Sequence, residues 1–282
     1  LGKTIKLDGS KLNMVNISYS HNGDGQVNWT SIIMGSESKL ILDNEAKLSI
    51  EGGNAEAAIQ GISTCGNAEI TLDNKSKINI KDCGEDAFER VSNDLNTKDK
   101  INVLNHSEIE VDHCRGAFIN TFDITITESI VNVHDCTGNA SNGSNFYITD
   151  STVSFINSGA HGISASEFIV DNSTVTSNKN GANGITVSGK MEIKNTSKVE
   201  VSENKCGISS KWTHPGALVV KSGGTIDKTC DVRIIYNQGS GISVLDGTLT
   251  MDAGVVSKNV AEKLTIGGGV YNKGTFIMNS GV

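Results

Sequence analysis

Asp and Cys stand close together at three places in the sequence, twice with His beside them, and each time at the end of an alternating apolar run. The three phrases are INIKDC ending at Cys83, IEVDHC ending at Cys114 and VNVHDC ending at Cys136. Carboxylates, imidazoles and thiolates are the groups that bind transition metals and that transfer protons in catalysis. One such phrase would indicate a site, whereas three copies indicate a structural repeat.

The repeat is measured at the residue that lies three positions after each apolar–x–apolar pair. Successive positions of this residue are 30, 31, 22, 22, 22, 24, 33 and 22 residues apart. The unit is therefore 22 residues long, and the longer gaps indicate insertions. The positions are Gly53, Cys83, Cys114, Cys136, Ser158, Asn180, Asn204, Asn237 and Asn259, all of them small or polar.

Each unit contains three short segments in which apolar and polar residues alternate, as they do in strands that bury one face. A Gly–Ile phrase recurs at Gly61, Gly162, Gly184, Gly207 and Gly241, where we expect Gly to supply a backbone conformation that other residues resist. One unit cannot bury its apolar face alone, so the units must stack. The sequence thus predicts a β-solenoid, in agreement with 31 Gly, one Pro and 5% aromatic residues.

The pattern resembles the right-handed parallel β-helix, the pectin-lyase-like fold. The phrase GGGVYNKGTFIMNSG at 267–281 resembles the repeats of large bacterial cell-surface and adhesin-like proteins. The resemblance implies an all-β, single-stranded right-handed parallel β-helix of about ten coils of ~22 residues with insertions.

We expect one β-helix domain over residues 1–282. Within it, 1–38 is interpreted as a degenerate N-terminal coil or cap, and 84–100 and 209–230 as insertions. Because the chain opens at Leu1 and stops at Val282 inside a strand-like phrase, we interpret it as a fragment of a longer protein.

Equivalent side chains stack in a solenoid, so the three phrases should form vertical columns. We expect the Cys83, Cys114 and Cys136 thiols to be free, to point inward and to fill the place that Asn occupies in later coils. Two outward columns precede them, namely Lys81, Asp112 and His134, and then Asp82, His113 and Asp135.

These outward columns are interpreted as a solvated charge ladder in which carboxylates favour protonated imidazoles. The alternative is a surface metal site, for which the candidate ligands are His113, His134, Asp112 and Asp135. No metal or other cofactor is predicted for the chain.

Candidates for catalysis are few. GAHGIS at 159–164 resembles the Gly-His-Gly motif of polygalacturonase-type hydrolases, which implies a role for His161, but the Asp-Asp, Asn-Thr-Asp and Arg-x-Lys phrases of that family are absent. Asp82 and Asp135 should lie about 9.6 Å apart, near the upper spacing for inverting glycosidases. We expect the three arginines, Arg90, Arg115 and Arg233, to lie outside any acidic cluster on adjacent coils.

The segment 209–230 holds Trp212, His214 and the only proline. Insertions on solenoids often carry binding residues, so Trp212 and His214 are candidate contacts to a sugar or a protein. The alternative is that Trp212 folds over the edge of the coil.

Two functions follow from these features. The first is a non-catalytic structural or adhesive module of a secreted or surface-attached bacterial protein, which presents its surface to glycans or to host or cell-surface proteins. The second is a polysaccharide-degrading hydrolase or lyase. A net charge of -8 argues against nucleic acid as a partner, and no apolar run is long enough to span a membrane.

Overall fold

The computed structural model describes residues 3–17, 29–52, 59–91, 97–205, 216–261 and 268–282. Within these ranges the chain forms strands and turns and no helix. The strands pair in parallel and build three sheets, so the described chain is a right-handed parallel β-helix. The all-β solenoid predicted from the repeat is confirmed.

Sheet B contains one strand from each coil and therefore counts the coils directly. Its strands come one after another along the chain, and the described residues supply ten of them. They are Lys11–Ile17, Lys47–Gly52, Lys77–Lys81, Glu108–Asp112, Ile130–His134, Thr152–Ile156, Thr174–Asn178, Lys198–Ser202, Asp231–Ile235 and Val255–Ser257.

Sheets A and C form the other two sides of the coil. In the described residues sheet C has five strands, namely Trp29–Met34, Ile59–Thr64, Phe88–Arg90, Phe118–Ile119 and Ser141–Asn142. Sheet A has 15, and its strand Ile163–Asp171 pairs with two strands of the next coil, Ile185–Val187 and Met191–Lys194. Its remaining strands are Thr4–Asp8, Lys39–Asp43, Glu69–Leu72, Asp99–Val103, Phe122–Thr127, Ser144–Thr149, Gly216–Val220, Gly224–Ile226, Ser240–Val244, Thr248–Met251, Val270–Asn272 and Thr275–Met278.

The register of sheet B follows the period measured on the sequence. Val131 pairs with Val153, and Val153 pairs with Val175. Hydrogen bonds between equivalent positions join residues 22, 24, 31 or 33 apart, depending on the coil. The repeat therefore predicts which side chains stack. Each inward apolar pair is buried only when it packs against the equivalent pair of the next coil.

The core is a stack of inward-pointing aliphatic residues with a short aromatic column in its middle coils. Phe88 and Phe118 stack with ring centroids 5.3 Å apart, and Phe146 and Phe155 meet edge to face at 5.8 Å. All four rings are fully buried. These aromatic residues serve packing inside the coil, which leaves few aromatic side chains for the outer surface.

A buried asparagine ladder runs through the later coils, as the sequence predicts. Asn180 Nδ2 donates to Asn204 Oδ1 at 2.9 Å, and Asn204 Nδ2 donates to Asn237 Oδ1 at 3.0 Å. The same oxygens accept backbone N–H groups of the preceding coil. Every amide is thus paired in the interior, where an unpaired polar group would be costly.

The recurring Gly–Ile glycine has a different cause from the one expected. Gly162 and Gly184 do not have positive φ angles. A Cβ at Gly162 would lie 2.6 Å from Asn180 Nδ2, and one at Gly184 would lie 2.7 Å from Asn204 Nδ2. A Cβ would lie even closer to Ser177 Oγ at Gly162, at 2.4 Å, and to Val201 Cγ1 at Gly184, at 2.5 Å. Glycine is required at these two positions because the packed interior, including the asparagine ladder, leaves no room for a side chain.

A second buried ladder, made of serines, lines the turn between sheets A and B. The backbone N–H of Ser129 donates to Ser151 Oγ at 3.0 Å, and the N–H of Ser151 donates to Ser173 Oγ at 3.0 Å. These serines are almost fully buried. Each hydroxyl therefore links one coil to the next.

Both ranges that were predicted as insertions contain strands of the stacked sheets. Phe88–Arg90 lies inside 84–100 and pairs in sheet C, while Gly216–Val220 and Gly224–Ile226 lie inside 209–230 and pair in sheet A. The period measured in one sheet cannot locate extra residues within a coil. At the other end, Thr4–Asp8 pairs in register with Lys39–Asp43.

Candidate functional site

The turn after each sheet B strand places one side chain in an outward column. Asp82, His113 and Asp135 occupy this position with φ angles of 54°, 50° and 58°. Left-handed backbone costs least for Gly, Asn and Asp, and it turns the chain sharply toward sheet C. The outward column therefore results from the left-handed turn residue that each of these coils has at the same position. Its side chains lie at the surface.

The adjacent column is also in the predicted register. Asp112 pairs with Lys81 on one side and with His134 on the other. His134 Nδ1 lies 3.0 Å from Asp112 Oδ1 and 3.0 Å from Asp135 Oδ2, and His113 Nδ1 contacts Asp112 Oδ1. The two outward columns thus converge on a single cluster.

Glu110 contacts the other nitrogen of the His134 ring. His134 Nε2 lies 3.3 Å from Glu110 Oε1, and Glu110 in turn lies 3.6 Å from Lys77 Nζ. Partial burial opposes protonation of His134, but hydrogen bonds to Asp135 and Glu110 and the charge of Asp112 outweigh it and raise the pKa of His134. The expected preference for a charged imidazole is therefore present.

Asp135 is held in its ionised form. A hydrogen bond from Asn157 of the next coil lowers the pKa of Asp135, and the hydrogen bond to His134 adds to this effect. A carboxyl group with a lowered pKa is a poor general acid near neutral pH, whereas it remains a good ligand or ion-pair partner.

A groove of about 550 Å³ runs along this turn. It is lined by Asp82, His113 and Asp135 together with Gly52, Cys83, Gly84, Cys114 and Thr137. The structure therefore brings the two candidate catalytic aspartates, Asp82 and Asp135, to one groove with His113.

The three thiols of the Cys phrases lie on the buried side of the same turn. Cys83, Cys114 and Cys136 are at most 2% exposed, and the cysteines in the described part of the chain are free thiols. The neighbouring Cys83 thiol and burial raise the pKa of Cys114, and burial raises the pKa of Cys136 to about 12. Cys114 and Cys136 are therefore protonated packing groups and poor nucleophiles or ligands.

The expectation that arginine stays outside acidic clusters is wrong for Arg115, whereas Arg90 faces a single carboxylate. Arg115 Nε donates to Asp86 Oδ1 at 3.1 Å and its terminal nitrogens contact Asp86 and Glu85. Arg90 Nε lies 3.6 Å from the fully buried Asp99. The turn from Cys83 to Phe88 has one residue more than the turn from Cys114 to Phe118, the register partner of Phe88, so aligning the Cys phrases does not align Arg115 with Glu85 or Asp86.

Glu89 lies near the Arg115 cluster. Burial, together with the charge of Asp86, raises the pKa of Glu89 despite the opposing charge of Arg115. Neither Glu89 nor Asp86 was expected at a site from the sequence. Glu85 and Asp86 follow Cys83 by two and three residues, whereas Arg115 follows Cys114 directly, so their proximity could be found only by allowing the offset between the two turns.

His161 occupies a turn in a different column. The N–H of His161 donates to Asn139 Oδ1 at 3.2 Å, and the N–H of Asn183 donates to His161 Nδ1 at 3.3 Å. His161 thus takes the place of an asparagine in a ladder of turn acceptors. Burial, and secondarily the charge of Lys221, lower the pKa of His161.

The binding candidates Trp212 and His214 lie outside the described residues, so their role stays a prediction. No family model, curated protein or solved structure matches the chain. Among the residues that the structure describes, none forms a helix long and apolar enough to cross a membrane.

Proposed function

We propose that the chain is a non-catalytic structural or adhesive module that presents its solenoid surface to glycans or proteins. The observation that carries this proposal is the stacking of outward side chains into straight columns along three long sheets. Glu110, Asn132 and Ser154 are one such column, each in register with the next. A surface of this kind offers a repeated array of polar groups to an extended ligand.

The roles of the candidate catalytic groups support the same proposal. His161 accepts a backbone hydrogen bond from the next coil, and Asp135 is bound by Asn157 and His134. The bidentate contact of Arg115 with Asp86 joins two coils. Groups that hold coils together are constrained by stability and are less available for substrate.

The setting that we propose is a secreted or surface-attached bacterial protein. Its basis is the resemblance of the 267–281 phrase to cell-surface repeats and the net charge of -8. An acidic surface suits a solvated module with few unspecific contacts to nucleic acid.

A polysaccharide-degrading enzyme is the second candidate, and one observation favours it. Glu89 has a raised pKa next to the Arg115–Asp86 cluster, and the groove with Asp82 and Asp135 lies at the turn that carries Cys83 and Cys114. A carboxylic acid with raised pKa beside other carboxylates is the arrangement that glycosidases use.

Retention and turnover on immobilised pectin, alginate, mucin and host glycans distinguish the two functions. We expect retention without release of new reducing or unsaturated ends. We also expect Trp212→Ala to reduce retention at least about tenfold, since stacking aromatic residues dominate such contacts. Tyr236→Ala is the matched control because Tyr236 is a half-exposed aromatic residue of a regular coil.

Turnover of any glycan would contradict the proposed module. Loss of that turnover in Glu89→Gln, Asp135→Asn or His161→Ala would then assign the catalytic group. Absence of both retention and turnover on every glycan, together with no binding to cell-surface proteins, would contradict adhesion and leave a structural spacer.

A further inference from the structure

Three ligand atoms converge where two coils meet at the turn after sheet B. One atom each from Asp112, His134 and Asp135 lies within 4.8 Å of the other two. The His134 Nδ1 atom is 3.0 Å from both carboxylate oxygens. Ligands about 2.0–2.2 Å from a tetrahedral zinc ion are separated by roughly 3.3 Å, so little movement is needed to admit an ion.

The orientation of the His134 ring is the second, independent observation. Glu110 accepts from Nε2 at 3.3 Å, and Glu110 is not one of the three converging groups. Histidines that bind metals usually donate their other ring N–H to a carboxylate, which fixes the tautomer and directs the lone pair to the ion. Here the pair is Nε2 on Glu110 and Nδ1 between the two aspartates.

The cluster is open to solvent on the side of the groove. His113 contacts Asp112 and is 61% exposed, and both His113 and Asp135 line the groove. Imidazole and carboxylate donors in this number suit Zn²⁺ and its neighbours Ni²⁺ and Cu²⁺, whereas Ca²⁺ requires six to eight oxygens.

We propose that Asp112, His134 and Asp135 bind one divalent transition-metal ion between two adjacent coils, with Glu110 orienting His134. The inference goes beyond the proposed function and does not depend on it. The charge ladder predicted for the same residues did not include the contact between Glu110 and the ring.

The test is calorimetric titration of the metal-stripped, untagged chain with Zn²⁺ at neutral pH. We expect one ion per chain, loss of binding in His134→Ala and 10–100-fold weaker binding in Glu110→Gln, about the cost of losing an outer carboxylate. Glu108→Gln is the matched control, because Glu108 is on the same strand and binds Lys77 at 2.9 Å. His106→Ala is the control for an exposed histidine, since His106 lies 3.9 Å from a single carboxylate, Glu128.

A second readout records the nitrogen resonances of the His134 ring. Zn²⁺ should shift the Nδ1 resonance and leave Nε2 protonated, whereas Ca²⁺ at the same concentration should not shift the Nδ1 resonance. Circular dichroism of each variant verifies that the fold is intact. Absence of stoichiometric Zn²⁺ binding, or equal effects of His134→Ala and His106→Ala, would overturn the site; equal effects of Glu110→Gln and Glu108→Gln would overturn the role of Glu110.

Discussion

The three stacked thiols show why chemically active side chains need not form a site. Cys83, Cys114 and Cys136 occupy the column that Asn180, Asn204 and Asn237 occupy later in the chain. Both residue types are small enough for this interior turn, and the asparagines add hydrogen bonds between coils. The residue type in the column therefore changes along the rod without a change of fold.

Alkylation of the folded protein with iodoacetamide tests the burial of these thiols. We expect Cys65, which is exposed, to react at least about 100-fold faster than Cys83, Cys114 and Cys136. Burial excludes the reagent, and the raised pKa of Cys114 and Cys136 suppresses the reactive thiolate. Peptide mass spectrometry measures each rate, and all thiols should react alike in urea. Equal rates in the folded protein would contradict the inward column.

His161 offers a test of a histidine with a structural role. His161→Ala leaves the N–H of the buried Asn183 without its acceptor, so we expect a loss of about 1–3 kcal/mol in the free energy of unfolding. His161→Asn keeps an acceptor of the kind present at Asn139 and should cost less. Urea unfolding at pH 7 measures both, and equal losses would show that the acceptor is unimportant.

The lowered pKa of His161 also predicts that the free energy of unfolding depends on pH. The pKa of His161 in the folded chain lies below its ordinary value of 6.5, so the unfolded chain binds the proton first. Its stabilisation is complete above pH 6.5 and is lost as the pH falls toward the folded pKa. Wild type should therefore lose more stability than His161→Asn between pH 7 and pH 5, and parallel pH profiles would contradict the assignment.

At the residue scale the sequence predicted contacts along a column and missed contacts between columns. The pairing of Asp112 with His134 follows from the period alone and is confirmed. The contact of Glu110 with His134 is diagonal, and that of Arg115 with Asp86 crosses an offset of one residue. Such contacts depend on the length and conformation of the side chains and on the local register of the strands, and neither can be read from the repeat period.

At the scale of the element, the coil is the unit of stability. A turn has two strict requirements, namely an acceptor that points to the next coil and a backbone that can reverse direction. The serine and asparagine ladders meet the first requirement, and the left-handed residues meet the second. Each coil therefore contributes hydrogen bonds to the stack, and its apolar residues are buried because the neighbouring coils cover them.

Removal of one regular coil tests this view. Deletion of residues 130–151 joins Ser129 to Thr152, which replaces Ser151 by its equivalent 22 residues earlier. We expect a folded, cooperative protein with reduced thermal stability, because the remaining coils stack in the same register. Circular dichroism and thermal unfolding measure the result.

A deletion one residue longer, 130–152, is the matched control. It joins Ser129 directly to Val153 and removes the outward residue between them, so the serine ladder and the inward valine column cannot both stay in register, which should prevent folding or solubility. If both deletions folded equally well, the stacking register would not be what holds the coils together.

The elements themselves were predicted unevenly for a physical reason. Most sheet B strands were located because they end at a constant distance in sequence before the small residue of the inward column. The short sheet C strands, such as Phe118–Ile119, have too few residues for alternation to show. The Gly–Ile phrase was found, yet its cause is the close approach of neighbouring side chains and backbone to the glycine, which only the packed interior reveals.

At the scale of the whole molecule, stacking converts distance along the sequence into height along the rod. Asn79, Glu110, Asn132, Ser154, Thr176 and Glu200 are successive register partners in sheet B. Neighbouring parallel strands are about 4.8 Å apart, so five such steps give roughly 24 Å and four give roughly 19 Å. Sequence separation varies between these steps, whereas the height of each step should not.

Pulsed electron paramagnetic resonance on spin-labelled pairs measures this height most directly. Labels at Asn79→Cys and Glu200→Cys, and at Asn79→Cys and Thr176→Cys, are placed in a chain whose six native cysteines are serine. Serine already occupies the thiol column at Ser158, so the background should fold. The stacked-coil account predicts mean distances near 24 and 19 Å, a difference of about one strand spacing. Distances that do not increase with the number of coils between the labels would contradict it.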